Sequence, residues 1–309
     1  GSISIDKYDD KTQTLINDYK EDFDKLQNED LDLLTDKYIN EYLDNVPGYR
    51  TVENAKQAFM VSRLSRSLKE VVAHIVAEIT QSDFKPVACE FRIGHNGDIP
   101  TLEFPYSKGK VRISGSIDRV DKYQGYIRIV DYKSGKKTFY LSDILVGLNM
   151  QMLIYLYAVT RNNNLKDTDA AGILYQPSKR DLSNNGIPMN GLIQEDRALA
   201  TAMDKSGEGK YAPKLTYTQK GGLSSNCTSY IKPENFSLIF DHIERIMSQT
   251  GDIIASGDFK AEPIKGKNGS PCTYCEFANI CGIDESNVIA APSHKNDEVF
   301  DILRMGGRK

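Results

Sequence analysis

The chain has 309 residues, 39% of them hydrophobic, and a formal net charge of −4. This length allows one large domain or two smaller ones with a substantial core. No apolar run approaches the roughly 18 residues that cross a membrane, and no basic-then-apolar leader opens the sequence, so we expect a cytoplasmic protein.

Acidic residues are concentrated near the N terminus. Residues 1–45 contain 13 acidic and 5 basic side chains, whereas the other 264 residues contain 30 acidic and 34 basic ones. The main body can therefore still attract phosphates, and a nucleic-acid partner is not excluded. A solvated helical face is the plainer interpretation of the acidic segment itself.

Helices are predicted for the N-terminal part. Apolar residues recur at helical spacing through residues 10–45, and a second helix is expected from Val52 to about Ile79. The opening Gly1 and Ser2 resemble the scar of a removed tag, so we expect residues 1–82 to be a truncated helical region.

The sequence changes to strand patterns from residue 85. Residues 85–94 read as one strand, and residues 109–135 as two longer strands joined by a tight turn at Gln124 and Gly125. Residues 141–160 have the periodicity of one buried amphipathic helix, and residues 170–177 predict another strand. This order of elements predicts an α/β core over residues 83–177.

The rest of the chain is less regular. Residues 178–232 are rich in Gly, Ser, Asn and Lys, with one short predicted helix in QEDRALATAMD, and we interpret them as a peripheral insertion. Residues 233–309 are expected to hold a helix from Pro233 to about Ser256, then a cysteine segment and a polar tail.

Two strands carry charged residues where apolar ones are expected. Asp131 and Lys133 continue the face of Ile127 and Ile129, and hairpin pairing can bring Asp118 near Asp131. Two converging carboxylates are costly to desolvate unless a cation neutralises them. Mg²⁺ or Mn²⁺ suits this need, because hard cations prefer oxygen ligands.

Such a site predicts phosphodiester hydrolysis. A bound metal lowers the pKa of a water, and Lys133 can orient that water or offset charge on phosphorus. Glu90, on the first strand, can add a carboxylate through a water or position Lys133. Ordinary ion pairs, of Asp131 with Lys133 and of Asp118 with a nearby arginine, fit the spacing equally well.

The predicted helix at residues 141–160 carries Gln151 and Tyr155 one turn apart. A buried glutamine requires a partner, and a scissile phosphate or a DNA base beside the metal would provide one. A core glutamine that is satisfied within the protein is the alternative interpretation.

Taken together, these residues resemble the motifs of the PD-(D/E)XK nuclease superfamily, in its RecB-like branch. The matching residues are Glu90, Asp118 in GSID, Asp131 and Lys133 in DYK, and Gln151 and Tyr155 in QMLIY. The resemblance implies a restriction-endonuclease-like core, a central mixed sheet flanked by helices, with N-terminal helices and a C-terminal cysteine segment. It also implies that Asp118 and Asp131 bind the metal and that all six residues act in catalysis.

Three cysteines near the C terminus, Cys272, Cys275 and Cys281, have C-x2-C-x5-C spacing. In a cytoplasmic protein this clustering favours a metal or iron–sulfur centre over a disulfide. An iron–sulfur cluster and a zinc site fit the spacing equally.

The string PCTYCEFANIC resembles the B-subunit family of the AddAB-type ATP-dependent helicase–nucleases, and the likeness spans about residues 50–285. It implies that the three cysteines bind a [4Fe-4S] cluster, that an A subunit with helicase and nuclease activity completes a heterodimer, and that DNA ends and single strands are the substrate. We therefore expect a Mg²⁺-dependent DNA exonuclease domain for double-strand break processing and recombinational repair.

This sequence departs from the family pattern at two positions. Neither the fourth cluster cysteine nor a metal-binding helical histidine of the family is evident before the first strand. Cys89 and Cys227 are interpreted as ordinary thiols and His74 as a structural histidine. We expect that this chain cannot complete a four-cysteine cluster and binds its catalytic metal weakly.

Two other functions stay open from the sequence. One is a catalytically silent module that binds DNA or docks onto a partner protein. The other is a stand-alone Cas4-like or RecB-like exonuclease.

Overall fold

The computed structural model describes residues 31–46, 55–135, 137–162, 168–178, 189–283 and 287–306. Helix α1 (Leu31–Asn45) packs against α2 (Ala55–Gln81). Both agree with the helical spacing of the sequence, although the part predicted over residues 10–30 lies outside the described residues.

A six-stranded mixed sheet forms the centre of the fold. In chain order the strands of the molecule begin with β1 (Lys85–Ile93), β2 (Leu102–Tyr106), β3 (Gly109–Ile113), β4 (Gly115–Tyr123), β5 (Tyr126–Lys133), β6 (Asp169–Pro177), β7 (Asn190–Gln194) and β8 (Tyr230–Ile231). The central sheet has the order β1-β4-β5-β6-β7-β8, while β2 and β3 form a separate hairpin. The β5–β6 and β7–β8 pairs are parallel and the other pairs of this sheet are antiparallel. The predicted α/β fold with a central mixed sheet is confirmed.

The tight turn between β4 and β5 agrees with the sequence. Gln124 and Gly125 have φ angles of 45° and 85°, which is the left-handed region that two-residue hairpins require. The first of the two predicted strands differs, because Ser114 separates β3 from β4 and each pairs with a different partner.

The single helix predicted for residues 141–160 is wrong. A 3-10 helix (Leu141–Val146) is followed by a break, and only then does α3 (Gln151–Thr160) begin. Gly147 and Asn149 have φ angles of 76° and 55°, so neither can continue a right-handed helix. Asp143 closes this turn, since its carboxylate accepts a hydrogen bond from Asn149 Nδ2 at 2.6 Å.

Helices cover both faces of the sheet. The larger apolar cluster joins one face to α3, to α5 (Pro233–Ser256) and to α7 (Asn296–Arg304). The second cluster packs α4 (Arg197–Met203) on the other face. The helix predicted from Pro233 to Ser256 is confirmed.

Residues 178–232 are less peripheral than the sequence suggests. Their described part supplies β7, β8 and α4, and therefore two strands of the central sheet and most of the second cluster. Short apolar runs such as NGLIQ pair over long sequence distances, which local patterns do not reveal. The division of the chain into regions stays a prediction.

The C-terminal segment runs through short elements. They are β9 (Ile264–Lys265), a 3-10 helix (Pro271–Tyr274), α6 (Ala278–Cys281) and β10 (Ile289–Ala290), before α7. Across the described ranges, no helix has both the length and the apolar character needed to span a membrane.

Candidate active site

Strand register places four polar residues in one row across the sheet. The antiparallel pairing of β4 and β5, extended by one residue, places Asp118 opposite Asp131. The parallel β5–β6 pair puts Asp131 beside Tyr175, and the β6–β7 pair puts Tyr175 beside Asn190. Side chains directly opposite each other lie on the same face, so this row is the floor of a candidate site.

Asp131 is the most buried carboxylate of the row, with a side chain only 8% exposed. Lys133 Nζ lies 2.6 Å from Asp131 Oδ2, but that oxygen has no hydrogen bond of acceptable geometry within the described residues. Burial raises the pKa of Asp131 and the charge of Asp118 raises it further, while Lys133 and Lys137 oppose this effect. Lys133 is therefore the charged partner of this buried oxygen.

Asp118 reaches across to the next strand. Its Oδ2 accepts a hydrogen bond of 2.8 Å from the backbone N–H of Tyr132, the residue between Asp131 and Lys133. The Asp118 carboxylate therefore lies at the same level of β5 as the other two predicted residues. The structure brings Asp118, Asp131 and Lys133 together.

Glu90 is placed less closely. The β1–β4 register puts it level with Asp118, but its backbone is left-handed at φ 50° and its side chain is exposed. Ser116 Oγ donates a 3.2 Å hydrogen bond to Glu90 Oε2. Over the described ranges no three His, Cys, Asp or Glu side chains form a group that could hold a metal, so Glu90 does not join the two aspartates directly.

Gln151 is exposed at the start of α3, so the expectation of a buried glutamine is wrong. Its Nε2 donates to Tyr155 Oη at 3.2 Å, and Tyr155 itself is buried. The tyrosine ring lies against Gly115, where a Cβ would come within 2.5 Å of Tyr155 Oη. Gly115 therefore allows α3 to approach β4 three residues before Asp118.

Sequence reasoning missed Tyr175 and Lys137. Tyr175 is 1% exposed, and its hydroxyl is buried without a hydrogen-bond partner in the part of the chain that the structure describes. Lys137 Nζ lies 4.9 Å from the centre of the Tyr175 ring, and Lys133 Nζ lies 5.9 Å from it. The doubled lysine after DYKSG was a signal for Lys137, but Tyr175 emerges only from the parallel register.

A buried ionic network lies within the sheet and α2. Glu78 contacts Arg128 at 2.5 Å and Arg119 at 2.9 Å, while Asp121 contacts the same arginines at 2.7 and 3.0 Å. These four side chains are at most 2% exposed. The alternative interpretation of the sequence, an ion pair of Asp118 with a nearby arginine, is therefore wrong for Arg119 and Arg128.

The sequence profile of the PD-(D/E)XK nuclease superfamily matches residues 9–282. This chain belongs to that superfamily.

Curated relatives of this PD-(D/E)XK chain carry the name of the B subunit of an ATP-dependent helicase/deoxyribonuclease. The protein of Clostridium novyi is 34% identical over 283 residues, covering 83% of this chain and 25% of the relative. That of Clostridium tetani is 30% identical, covering 86% and 26%, and that of Clostridioides difficile is 29% identical, covering 80% and 24%. The chain thus spans about a quarter of the length of these relatives.

The PD-(D/E)XK chain places its three C-terminal cysteines on short neighbouring elements. The N–H of Cys275 donates to the Cys272 carbonyl at 3.3 Å, and Cys281 ends α6. All three thiols are free, and they form no metal-holding group with other described residues. Their role as cluster ligands stays a prediction.

The other residues weighed as ligands are engaged elsewhere in the nuclease fold. His74 packs on Tyr211 with ring centres 5.2 Å apart. Cys227 is buried and its sulfur accepts a hydrogen bond from Thr216 N at 3.2 Å. Cys89 is exposed on β1, where it lies opposite Arg119 of β4.

Proposed function

We propose that this chain is a metal-dependent DNA exonuclease domain whose site is formed by Asp118, Asp131 and Lys133. The observation that carries the proposal is their convergence: Asp118 bonds the backbone between the other two, and Lys133 lies 2.6 Å from Asp131. Two carboxylates and one amine on two neighbouring strands form an arrangement that phosphodiester hydrolysis can use.

The residues fit a hard divalent cation. Asp131 offers a buried oxygen that lies 2.6 Å from Lys133 Nζ, and Asp118 offers a second carboxylate on the adjacent strand. Mg²⁺ or Mn²⁺ would be held by these two side chains, because both ions prefer oxygen ligands. When bound, the ion supplies an activated water and neutralises charge on the phosphodiester.

The remaining residues have supporting roles. Lys133 holds a positive charge beside the carboxylates, where it can orient water or meet the charge that builds on phosphorus. Gln151 is exposed and oriented by Tyr155, so its amide is available to a phosphate or a base. Glu90 is close enough in register to act through a water.

The names of the relatives support a proposal for the wider assembly. Their names describe the B subunit of an ATP-dependent helicase/deoxyribonuclease, so we place this chain in a heterodimer with an A subunit that is also a helicase–nuclease. Duplex ends and single strands of DNA are the proposed substrate, in break processing for recombinational repair in the cytoplasm. A [4Fe-4S] cluster at Cys272, Cys275 and Cys281, with a fourth cysteine from outside this chain, belongs to the same proposal.

Cleavage of a labelled single-stranded oligonucleotide in Mg²⁺ or Mn²⁺ tests the site. Asp131→Asn and Lys133→Met should each lower the cleavage rate by about 100-fold or more, since each removes a group acting in the transition state. Asp258→Asn and Lys260→Met are matched controls. These two residues form an exposed ion pair, 3.5 Å apart, and like Asp131 and Lys133 they are two positions apart in the sequence. Cleavage that is unchanged in both site variants would overturn this site, and no cleavage by the wild-type chain would support the silent DNA-binding module.

A further inference from the structure

The segment that follows β5 is held in place by two asparagines from distant parts of the chain. Asn190 Nδ2 donates to the Lys137 carbonyl at 2.6 Å, and Phe139 N donates to Asn190 Oδ1 at 3.0 Å. Asn268 Nδ2 donates to the Thr138 carbonyl at 2.8 Å, so the residue between is bound as well. The backbone of three consecutive residues outside any helix or strand, Lys137, Thr138 and Phe139, is thereby anchored.

This anchoring directs the Lys137 side chain over the floor of the site. Its Nζ lies 4.9 Å from the centre of the Tyr175 ring, and Tyr175 pairs directly with Asp131 in the sheet. Lys133 uses the same ring at 5.9 Å. Cation–π contacts of this kind hold an ammonium group without neutralising its charge.

The two lysines of this part of the site differ in their ion pairing. Lys133 forms an ion pair with Asp131, whereas Lys137 forms none with any carboxylate in the described ranges, although it is half-buried. Burial and the charge of Lys133 lower the pKa of Lys137, while the charge of Asp131 raises it. Because Asp131 is already paired with Lys133, the half-buried Lys137 ammonium gains from the approach of a second anion.

We propose that Lys137 is a second phosphate-binding residue of the site, seated on the Tyr175 ring and positioned by Asn190. The inference rests on the proposed function, and its ligand is a DNA phosphodiester next to the one that is cut. Lysine suits this task because it contacts a phosphate as a compact point charge. Because Lys137 and Lys133 share the Tyr175 ring, Lys137 can bind the DNA strand on one side of the reacting phosphate.

The test is the salt dependence of binding of this chain to a fluorescent single-stranded oligonucleotide in Ca²⁺. Lys137→Met should weaken binding about tenfold at low salt and reduce the slope of log K against log [salt] by about 0.7, the value for one lost phosphate contact. Lys137→Arg keeps the positive charge and should retain most of the affinity and most of the salt slope. The exposed Lys260→Met is the matched control and should change neither.

A positioning role for Asn190 has its own readout. Asn190→Ala changes no charge, yet it should weaken binding and raise KM severalfold with little change in kcat, because the lysine is no longer aimed. Loss of thermal stability with unchanged oligonucleotide binding would show a purely structural asparagine and overturn its positioning role.

Failure of this inference and of the proposed function are distinguishable. An unchanged salt slope in Lys137→Met, or no oligonucleotide binding by the wild-type chain, overturns the second phosphate contact. If Lys133→Met loses cleavage at the same time, the nuclease proposal stands without it. If Lys137→Met lowers the slope while Asp131→Asn and Lys133→Met cleave normally, the phosphate contact stands and the nuclease site does not.

Discussion

Gly115 shows how the absence of one side chain shapes the site. Because Gly115 has no Cβ, the Tyr155 ring can occupy the space beside its Cα. The Tyr155 hydroxyl in turn accepts a hydrogen bond from the Gln151 amide. The pattern G-x-x-D could be recognised from the sequence, but the reason for the glycine could not. That reason is a contact with a helix 40 residues further along the chain.

Replacing Gly115 should therefore disturb α3. In Gly115→Ala the new methyl group meets Tyr155 Oη, and we expect a loss of about 1–3 kcal/mol in the free energy of unfolding together with slower cleavage. Denaturant unfolding measures the first effect and oligonucleotide cleavage the second. Gly135→Ala is the stability control, because a Cβ there meets nothing within 4 Å. Equal stability of Gly115→Ala and wild type would contradict the close packing.

His242 is a buried histidine that the structure keeps neutral. Arg245 NH2 lies 2.6 Å from its Nδ1, and its Nε2 lies 2.7 Å from the Ile144 carbonyl. Because arginine can only donate, Nδ1 must accept and Nε2 must carry the proton. Burial lowers the pKa of His242, and Arg245 adds to this, although the Ile144 carbonyl opposes it.

Stability should therefore fall on the acid side of neutrality. The unfolded chain binds a proton at His242 near pH 6.5, whereas the folded chain does so only at lower pH. The contribution is complete above pH 6.5 and is lost as the pH falls through the folded pKa, with a slope of at most about 1.4 kcal/mol per pH unit. His242→Leu should reduce the pH dependence of the free energy of unfolding between pH 5 and 6.5. Substitution of the exposed His95 by Gln should leave that dependence unchanged. A slope unchanged by His242→Leu would contradict this assignment.

The elements behind the site are joined by the buried ionic network of Glu78, Arg119, Asp121 and Arg128. It links α2 to β4 and β5, and Arg119 NH1 also donates to Tyr132 Oη at 3.0 Å. Tyr132 lies between Asp131 and Lys133, so the network supports the strand that carries them. Burial alone would raise the pKa of Glu78, but the two arginines lower it below its ordinary value.

Breaking this network should be costly. Glu78→Gln leaves two buried arginines with one carboxylate between them, and we expect a loss of about 3–5 kcal/mol in the free energy of unfolding. The half-exposed pair of Lys69 and Asp36, 2.7 Å apart between α1 and α2, is the comparison. Asp36→Asn should cost at most about 1 kcal/mol in the same chemical denaturation experiment. Similar costs for both variants would show that burial does not set the strength of the network.

Elements with strong local signals could be predicted, and those that depend on distant pairing could not. The apolar stripe of α5 and the Gln124–Gly125 turn are local, so both agree with the sequence. The break between the 3-10 helix and α3 depends on left-handed Gly147 and Asn149, which an apolar periodicity conceals. Strands β7 and β8 contain five and two residues and gain their stability from neighbours in the sheet.

The convergence of the candidate site residues could be predicted from the sequence, but the extent of the row that they belong to could not. The alternation of β5 and the turn after β4 were enough to place Asp118 near Asp131. The row beyond Asp131 continues through Tyr175 to Asn190 because β6 lies parallel to β5. A parallel neighbour cannot be chosen from local sequence, since its crossover connection leaves the register open.

The chain just before the C-terminal cysteines contacts the segment that follows β5, where Asn268 Nδ2 donates to the Thr138 carbonyl. The C-terminal segment contains only three cysteines, because Cys89 is on β1 and Cys227 is buried beside Thr216. We therefore expect the chain, purified without oxygen, to contain less than a full four-iron cluster by iron and sulfide analysis. Four irons and four sulfides per chain would contradict this expectation.

Titration of the chain with Mn²⁺ tests the central claim, that Asp118 and Asp131 share one cation. Calorimetry should show one site per chain that is lost in Asp118→Asn and in Asp131→Asn, and kept in the exposed Asp258→Asn control. Mn²⁺ binding that survives both site substitutions unchanged would contradict the claim.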